Sequence, residues 1–197
     1  MKLIVMAGGL GTRLWPASRD ATPKQFEKLI ADKSLFQMNV ETLIKKYKLE
    51  DIFVSTNEQY IKYVKEQTPQ LLEENYIIEP AFKKDTGPAS GYAMLKVAAK
   101  YPDEVVMFNV QPVVIRVPDE KYLDMIEGIE QLVKEKRKLV SGGIRPTYPD
   151  VGSDYLRLGK KVTAINNLEV YEAQQYIERL GDYQKTKGLV ENNNIST

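Results

Sequence analysis

The chain has 197 residues, with 28 Lys plus Arg against 27 Asp plus Glu, so its formal net charge is +1. That length suits one domain or a little more, with a real core, and the near-neutral charge gives no footprint for nucleic acid or an anionic membrane. There is no cysteine and no histidine, which excludes disulfides, thiol nucleophiles, cysteine-based zinc sites, Ser-His triads and imidazole bases. Any catalysis must run on Asp, Glu, Lys, Arg, hydroxyls, backbone amides or a metal held by oxygen.

The first apolar run, Leu3 to Ala7, is too short for a signal-peptide core and meets Gly8-Gly9 at once. No stretch approaches the ~20 apolar residues of a membrane span. A cytoplasmic protein without membrane contact is therefore expected. Leu3-Ile4-Val5-Met6 predicts a buried strand. Ile52 to Thr56, Tyr76-Ile77-Ile78 and Val105 to Phe108 predict three more, and Leu139-Val140-Ser141 a weaker one. Ser34 to Tyr47, Asn57 to Glu66, Thr86 to Lys100 and 119–136 carry helical spacing. Pro88 suits a first helical turn, where the amides have no partner to lose. Strand–helix alternation predicts an α/β fold: a doubly wound, mostly parallel sheet with helices on both faces. Ligands in such sheets sit outside the carboxyl ends of the strands. Residues 142–163, rich in Gly, Pro and Tyr, read as an excursion from the sheet, and Glu169 to Arg179 reads as a helix. A domain over 1–181 followed by a polar, poorly ordered tail over 182–197 is expected.

The strongest signal is Met6 to Pro16, Met-Ala-Gly-Gly-Leu-Gly-Thr-Arg-Leu-Trp-Pro, directly after the first strand. Gly8, Gly9 and Gly11 let the backbone turn sharply and present amide N–H groups to a phosphate chain. The loop is not a Walker loop, because Arg13 follows Gly11-Thr12 where Lys-Ser/Thr is needed. It is not the dinucleotide fingerprint either, because Leu14 takes the third glycine position. A plain strand-to-helix turn leaves Arg13, Ser18-Arg19 and Pro23-Lys24-Gln25-Phe26 unexplained.

Gly8 to Arg19, followed by Pro23-Lys24-Gln25-Phe26, resembles the signature of sugar-1-phosphate nucleotidylyltransferases. The Leu-Trp-Pro-x-Ser-Arg and Pro-Lys-Gln-Phe forms are similar to those of mannose-1-phosphate guanylyltransferases, which make GDP-mannose. Glu79-Pro80 and Asp85-Thr86-Gly87-Pro88-Ala89 resemble the family's nucleotide-contacting segment. Gly143 to Pro149 resembles its Gly-Ile-x-Pro-Thr-x-Pro segment, and Gly152 falls where a sugar-contacting glycine sits. The resemblance implies the Rossmann-like fold of nucleotide-diphospho-sugar transferases and GTP and mannose 1-phosphate as substrates; it is compatible with a homo-oligomer. It implies Arg13 and Lys24 as catalytic cations, with Ala7, Gly8, Gly9, Gly11, Thr12, Glu79, Asp85, Thr86 and Pro88 at the nucleotide. The nucleophile would be a sugar-phosphate oxygen, already an anion, which agrees with the missing His and Cys.

The departures form a pattern. The family implies Mg²⁺ held by an Asp after the central strand, and Val114 stands there; a valine cannot bind the ion. The Glu and Lys that contact the sugar phosphate fall on Asn166 and Asn167, and no metal ligand is assigned in this chain, although Asp119 or Asp154 could in principle replace one. The family's later segments would lie beyond Thr197. A shortened guanylyltransferase is thus set against a non-catalytic nucleotide or nucleotide-sugar binding module. Within the class, the alternative is a glucose-1-phosphate adenylyl- or thymidylyltransferase, against which Trp15 and Gln25 argue mildly. A dinucleotide-binding dehydrogenase is a weak third reading.

Overall fold

The run Lys2–Met6 is apolar on alternate residues of both parities, and as β1 it is covered on both faces, with Leu3, Ile4 and Val5 fully buried. That is the mark of a central strand in a parallel sheet. In a computed structural model, residues 1–9, 23–29, 31–80, 86–110, 117–192 and 194–197 are described, with Lys24, Asn109 and Val110 described for backbone only. By its internal contacts the chain divides into Met1–Leu123 and Asp124–Thr197.

In the first unit β1 is followed by α1 (Leu35–Ile44), β2 (Ile52–Asn57), α2 (Ile61–Gln67), β3 (Tyr76–Glu79), α3 (Thr86–Lys100) and β4 (Val106–Val110). The strands make a four-stranded sheet in the order β3-β2-β1-β4, every neighbouring pair parallel. The expected doubly wound sheet is what the chain forms. Ile4, Phe53 and Ile77 pack with Ala93 and Val97 of α3 on one face. Leu3 and Val5 alternate to the other face and are buried as well. Ser34 starts α1 with a capping box: Gln37 N–H donates to Ser34 Oγ at 3.1 Å and Ser34 N–H to Gln37 Oε1 at 3.0 Å. Chain order reverses beside β1, where β4 returns on the opposite side from β2. This is the switch point at which such sheets open a crevice.

The unit boundary falls inside α4 (Asp119–Lys136), whose start and end match the range its periodicity predicted. In the second unit β5 (Tyr155–Ile165) and β6 (Leu168–Ile177) form a long antiparallel hairpin. The helix expected over Glu169 to Arg179 is therefore corrected to a strand. Asn166 and Asn167 turn the hairpin at φ of 48° and 62°, a left-handed pair that asparagine tolerates better than most residues. Gly128 of α4 lies under the hairpin end, where an added Cβ would come 3.1 Å from Ile165 Cγ2. Residues 139–141, expected as a weak strand, form no regular element. The 182–197 segment expected to be poorly ordered carries α5 (Tyr183–Glu191), capped by Asp182, and β7 (Ile195–Ser196) on β5. Thr197 exchanges backbone hydrogen bonds of 2.9 and 3.0 Å with Ile144. Among the described residues no helix is long and apolar enough to cross a membrane.

Asp119, in the first turn of α4, accepts a 2.5 Å hydrogen bond from Lys45 Nζ. The Lys45 ammonium holds the Asp119 carboxyl below the usual carboxylate range. A carboxyl lowered in the folded state stabilises fully above its unfolded value, near pH 4, and loses that contribution as pH falls through the folded value. Thermal midpoints of the wild type and Asp119→Asn should therefore differ at pH 7 and converge as pH falls through the lowered folded value of Asp119. A gap unchanged at low pH would exclude the ion pair as its source.

Candidate functional site

The site begins where β1 ends. Ala7 N–H donates to Ser55 O at 2.7 Å, so the chain stays paired with β2 for one residue beyond the strand. The next carbonyls leave the ladder and meet side chains instead. Ala7 O accepts from Gln25 Nε2 at 3.1 Å and from Thr56 Oγ1 at 3.2 Å. Gly8 O accepts from Asn57 Nδ2 at 2.7 Å. Gly9 O accepts from the same Gln25 nitrogen at 3.1 Å. Among the described residues the N–H groups of Gly8 and Gly9 make no hydrogen bond.

Glu79 closes the other side. The register that sets Asn57 beside Glu79 places the carboxylate at the same sheet edge as Gly8. Ser55 Oγ donates to Glu79 Oε1 at 2.9 Å. A Cβ built on Gly8 would lie 3.0 Å from both carboxylate oxygens, tighter than about nine in ten real Cβ contacts. Any larger residue at position 8 would require the Glu79 carboxylate to give by a few tenths of an ångström.

Gln25 reaches the loop because Phe26, its neighbour, is anchored. Phe26 is buried and stacks on Tyr63 at 5.6 Å between centroids, with an edge contact to Phe36 at 5.3 Å. Gln67 Nε2 donates to Phe26 O at 2.9 Å, and the Lys24–Phe26 turn closes through Phe26 N–H to Pro23 O. The Lys24 backbone is therefore pinned next to the glycine segment.

The structure thus brings together Ala7, Gly8, Gly9 and Glu79. Thr86 and Pro88 lie exposed in the first turn of α3, the helix that leaves this same edge after β3. Gly11, Thr12, Arg13, Asp85 and Val114 lie outside the described residues, as does the Lys24 side chain. Gly152 belongs to the second unit, where its N–H donates to Asp150 Oδ1 at 2.9 Å in a tight turn. The two substitute metal ligands weighed from the sequence have other work. Asp119 is paired with Lys45, and Asp154 accepts from Arg179 N–H at 2.8 Å and from the Tyr176 hydroxyl, whose own pKa that bond raises. Among the described residues no group of three or more His, Cys, Asp or Glu gathers to hold a metal. Sequence reasoning passed over Ser55 and Thr56, which read simply as the end of an apolar strand, and over Asn57, which read as the start of a helix but closes β2. The available signal was three consecutive polar residues closing that strand at the ligand edge.

Gly8→Ala should force the Glu79 carboxylate aside and cost about 0.5–1.5 kcal/mol, the worth of the Ser55 hydrogen bond that is lost. In Glu79→Ala the same Gly8→Ala change should cost almost nothing. A double-mutant cycle by urea unfolding measures this, and strict additivity would show that the two residues do not meet.

The nucleotidyl transferase family matches residues 2–149. Mannose-1-phosphate guanylyltransferase ManC of Salmonella typhimurium (strain LT2) is 35% identical over 181 residues, which is 90% of this chain and 37% of that protein. A mannose-1-phosphate guanylyltransferase of Escherichia coli is 32% identical over 184 residues, 89% of this chain and 38% of its own length. This chain therefore spans less than two-fifths of these relatives. A solved structure described as mannose-1-phosphate geranyltransferase from Thermus thermophilus superposes with a TM-score of 0.84 at 24% identity, covering 100% of this chain and 55% of that one. That likeness speaks for the fold. The glycine segment after β1, the parallel sheet that carries it and the match over 2–149 lead to one conclusion: the chain belongs to the nucleotidyl transferase family.

Proposed function

We propose that this chain is the nucleotide-binding part of a guanylyltransferase that joins GTP and mannose 1-phosphate into GDP-mannose and releases pyrophosphate. The observation that carries the base preference is the Glu79 carboxylate beside Gly8. A carboxylate repels a triphosphate, so this side of the loop suits a group rich in donors. Guanine offers two adjacent donors, N1–H and the 2-amino group, which a carboxylate accepts as a pair. Adenine and thymine have no such pair. The triphosphate then runs over the N–H groups of Gly8 and Gly9 toward Gly11, Thr12 and Arg13. The relatives named above support mannose 1-phosphate as the second substrate, with Gly152 as its sugar contact. Asp85, Thr86 and Pro88 would contribute at the nucleotide through the start of α3.

In the reaction, an oxygen of the sugar phosphate attacks the α-phosphorus of GTP. The bond from that phosphorus to the α–β bridging oxygen breaks, and pyrophosphate leaves with the electron pair. No base is required, since the nucleophile carries its charge already. Arg13 and Lys24 would hold the β- and γ-phosphates as charge builds there, where fixed cations are worth several kcal/mol. Mg²⁺ is the metal such chemistry would use. The residues here do not fit it: Val114 offers no donor atom, and among the described residues no acidic cluster replaces it. No step is assigned to the ion. This favours, as a second reading, a relative that binds nucleotide without turnover, or turns over slowly.

Thermal shifts with GTP, ATP and dTTP at equal concentration test the base, since a bound ligand stabilises by RT ln(1 + [L]/Kd). GTP should shift most, Glu79→Gln should narrow its lead over ATP, and Arg13→Ala should weaken GTP binding by about 1.5–3 kcal/mol. Pyrophosphate release with mannose 1-phosphate, across a magnesium titration, separates an enzyme from a binding module. Turnover of about 1–10³ per second, the ordinary range, would sink the slow-turnover reading, and a larger shift with ATP would sink the guanine assignment.

A further inference from the structure

We propose that Asn57 and Thr56 of β2, together with Gln25, are positioning residues that aim the loop amides at the nucleotide phosphates. The proposal rests on the reading of this edge as a nucleotide site. A trans peptide group is planar, and its C=O and N–H point in opposite directions. Fixing the carbonyl of Ala7 therefore fixes the N–H of Gly8, and fixing the carbonyl of Gly8 fixes the N–H of Gly9. Both carbonyls are held. Thr56 Oγ1 and Gln25 Nε2 take both lone pairs of Ala7 O, at 3.2 and 3.1 Å, and Asn57 Nδ2 takes Gly8 O at 2.7 Å. The two N–H groups then face away from β2 and Gln25, and among the described residues they bond to nothing.

Asn57 also forgoes a local alternative. It stands at the N-cap of the short 3-10 turn Glu58–Tyr60, a place where asparagine ordinarily caps its own turn, yet its side chain makes no cap hydrogen bond. Its carboxamide goes to Gly8 instead. Thr56 is fully buried and Gln25 is 3% exposed, so water does not compete for the two bonds to Ala7 O. Glycine loses more conformational freedom on folding than any other residue. Two consecutive glycines are thus held in one orientation by donors from outside the loop, before any ligand arrives. Preorganised amides of this kind bind anions without a reorganisation cost at the moment of binding.

The test is calorimetric titration of the full chain with GTP and, separately, with guanosine, which has no phosphate. Asn57→Leu should raise the Kd for GTP about 3–10-fold, the effect of one hydrogen bond of ordinary strength, and leave guanosine within about twofold. A general loss of fold would weaken both ligands alike. Thr56→Val keeps shape and charge while removing one donor to Ala7 O, and should move the same ratio in the same direction by less; it serves if Asn57→Leu does not fold. Wild type that binds GTP, with a GTP-to-guanosine ratio unchanged in the variants, overturns the positioning role alone. Wild type that binds no GTP overturns the nucleotide reading and the positioning role with it.

Discussion

The register of three parallel strands is the constraint on which the candidate site depends. Met6 lies opposite Ser55, and Asn57 lies opposite Glu79. With those pairings fixed, residues 7–9, the polar end of β2 and the Glu79 carboxylate must meet at one edge. A slip of one residue in either pairing would turn each side chain to the other face of the sheet. Burial opposes the slip, because Leu3, Ile4, Val5, Ile52 and Val54 are fully buried, and a shift would move their side chains out of the packing they fill. The core thus sets the geometry of the site without contributing an atom to it.

The same logic explains how the Lys24 backbone is placed. Here the residues after it are fixed in the protein, Gln25 by two loop carbonyls and Phe26 by a cluster of three aromatic rings. The Pro-Lys-Gln-Phe segment therefore works as one piece: the hydrophobic anchor holds the backbone, and the carboxamide ties that backbone to the glycine segment.

Much of this was legible in the sequence, for identifiable reasons. Thr86-Gly87-Pro88 marks a first helical turn and α4 repeats its apolar residues at helical spacing, so both helices could be read with their ends. The glycine segment announced itself by following a strand. The donors that hold it did not, because Thr56 and Asn57 act through backbone carbonyls distant in sequence, and no local pattern encodes that. The β5–β6 hairpin was missed because Val170, Tyr171, Ala173 and Ile177 fit a helical stripe as well as a strand, and a short apolar run cannot separate the two. Asn166-Asn167 was the sign that should have decided it. The end of the chain looked too polar to fold, yet its order comes from backbone pairing with β5 and Ile144, which composition does not report.

The Asn166-Asn167 turn sets backbone shape against charge at one dipeptide. Two neighbouring positions at left-handed φ accept asparagine readily, whereas a glutamate or lysine there carries a penalty of about 1–2 kcal/mol each. A charged pair at this turn would therefore strain the hairpin end, and the two asparagines are what let β5 and β6 join through so short a connection.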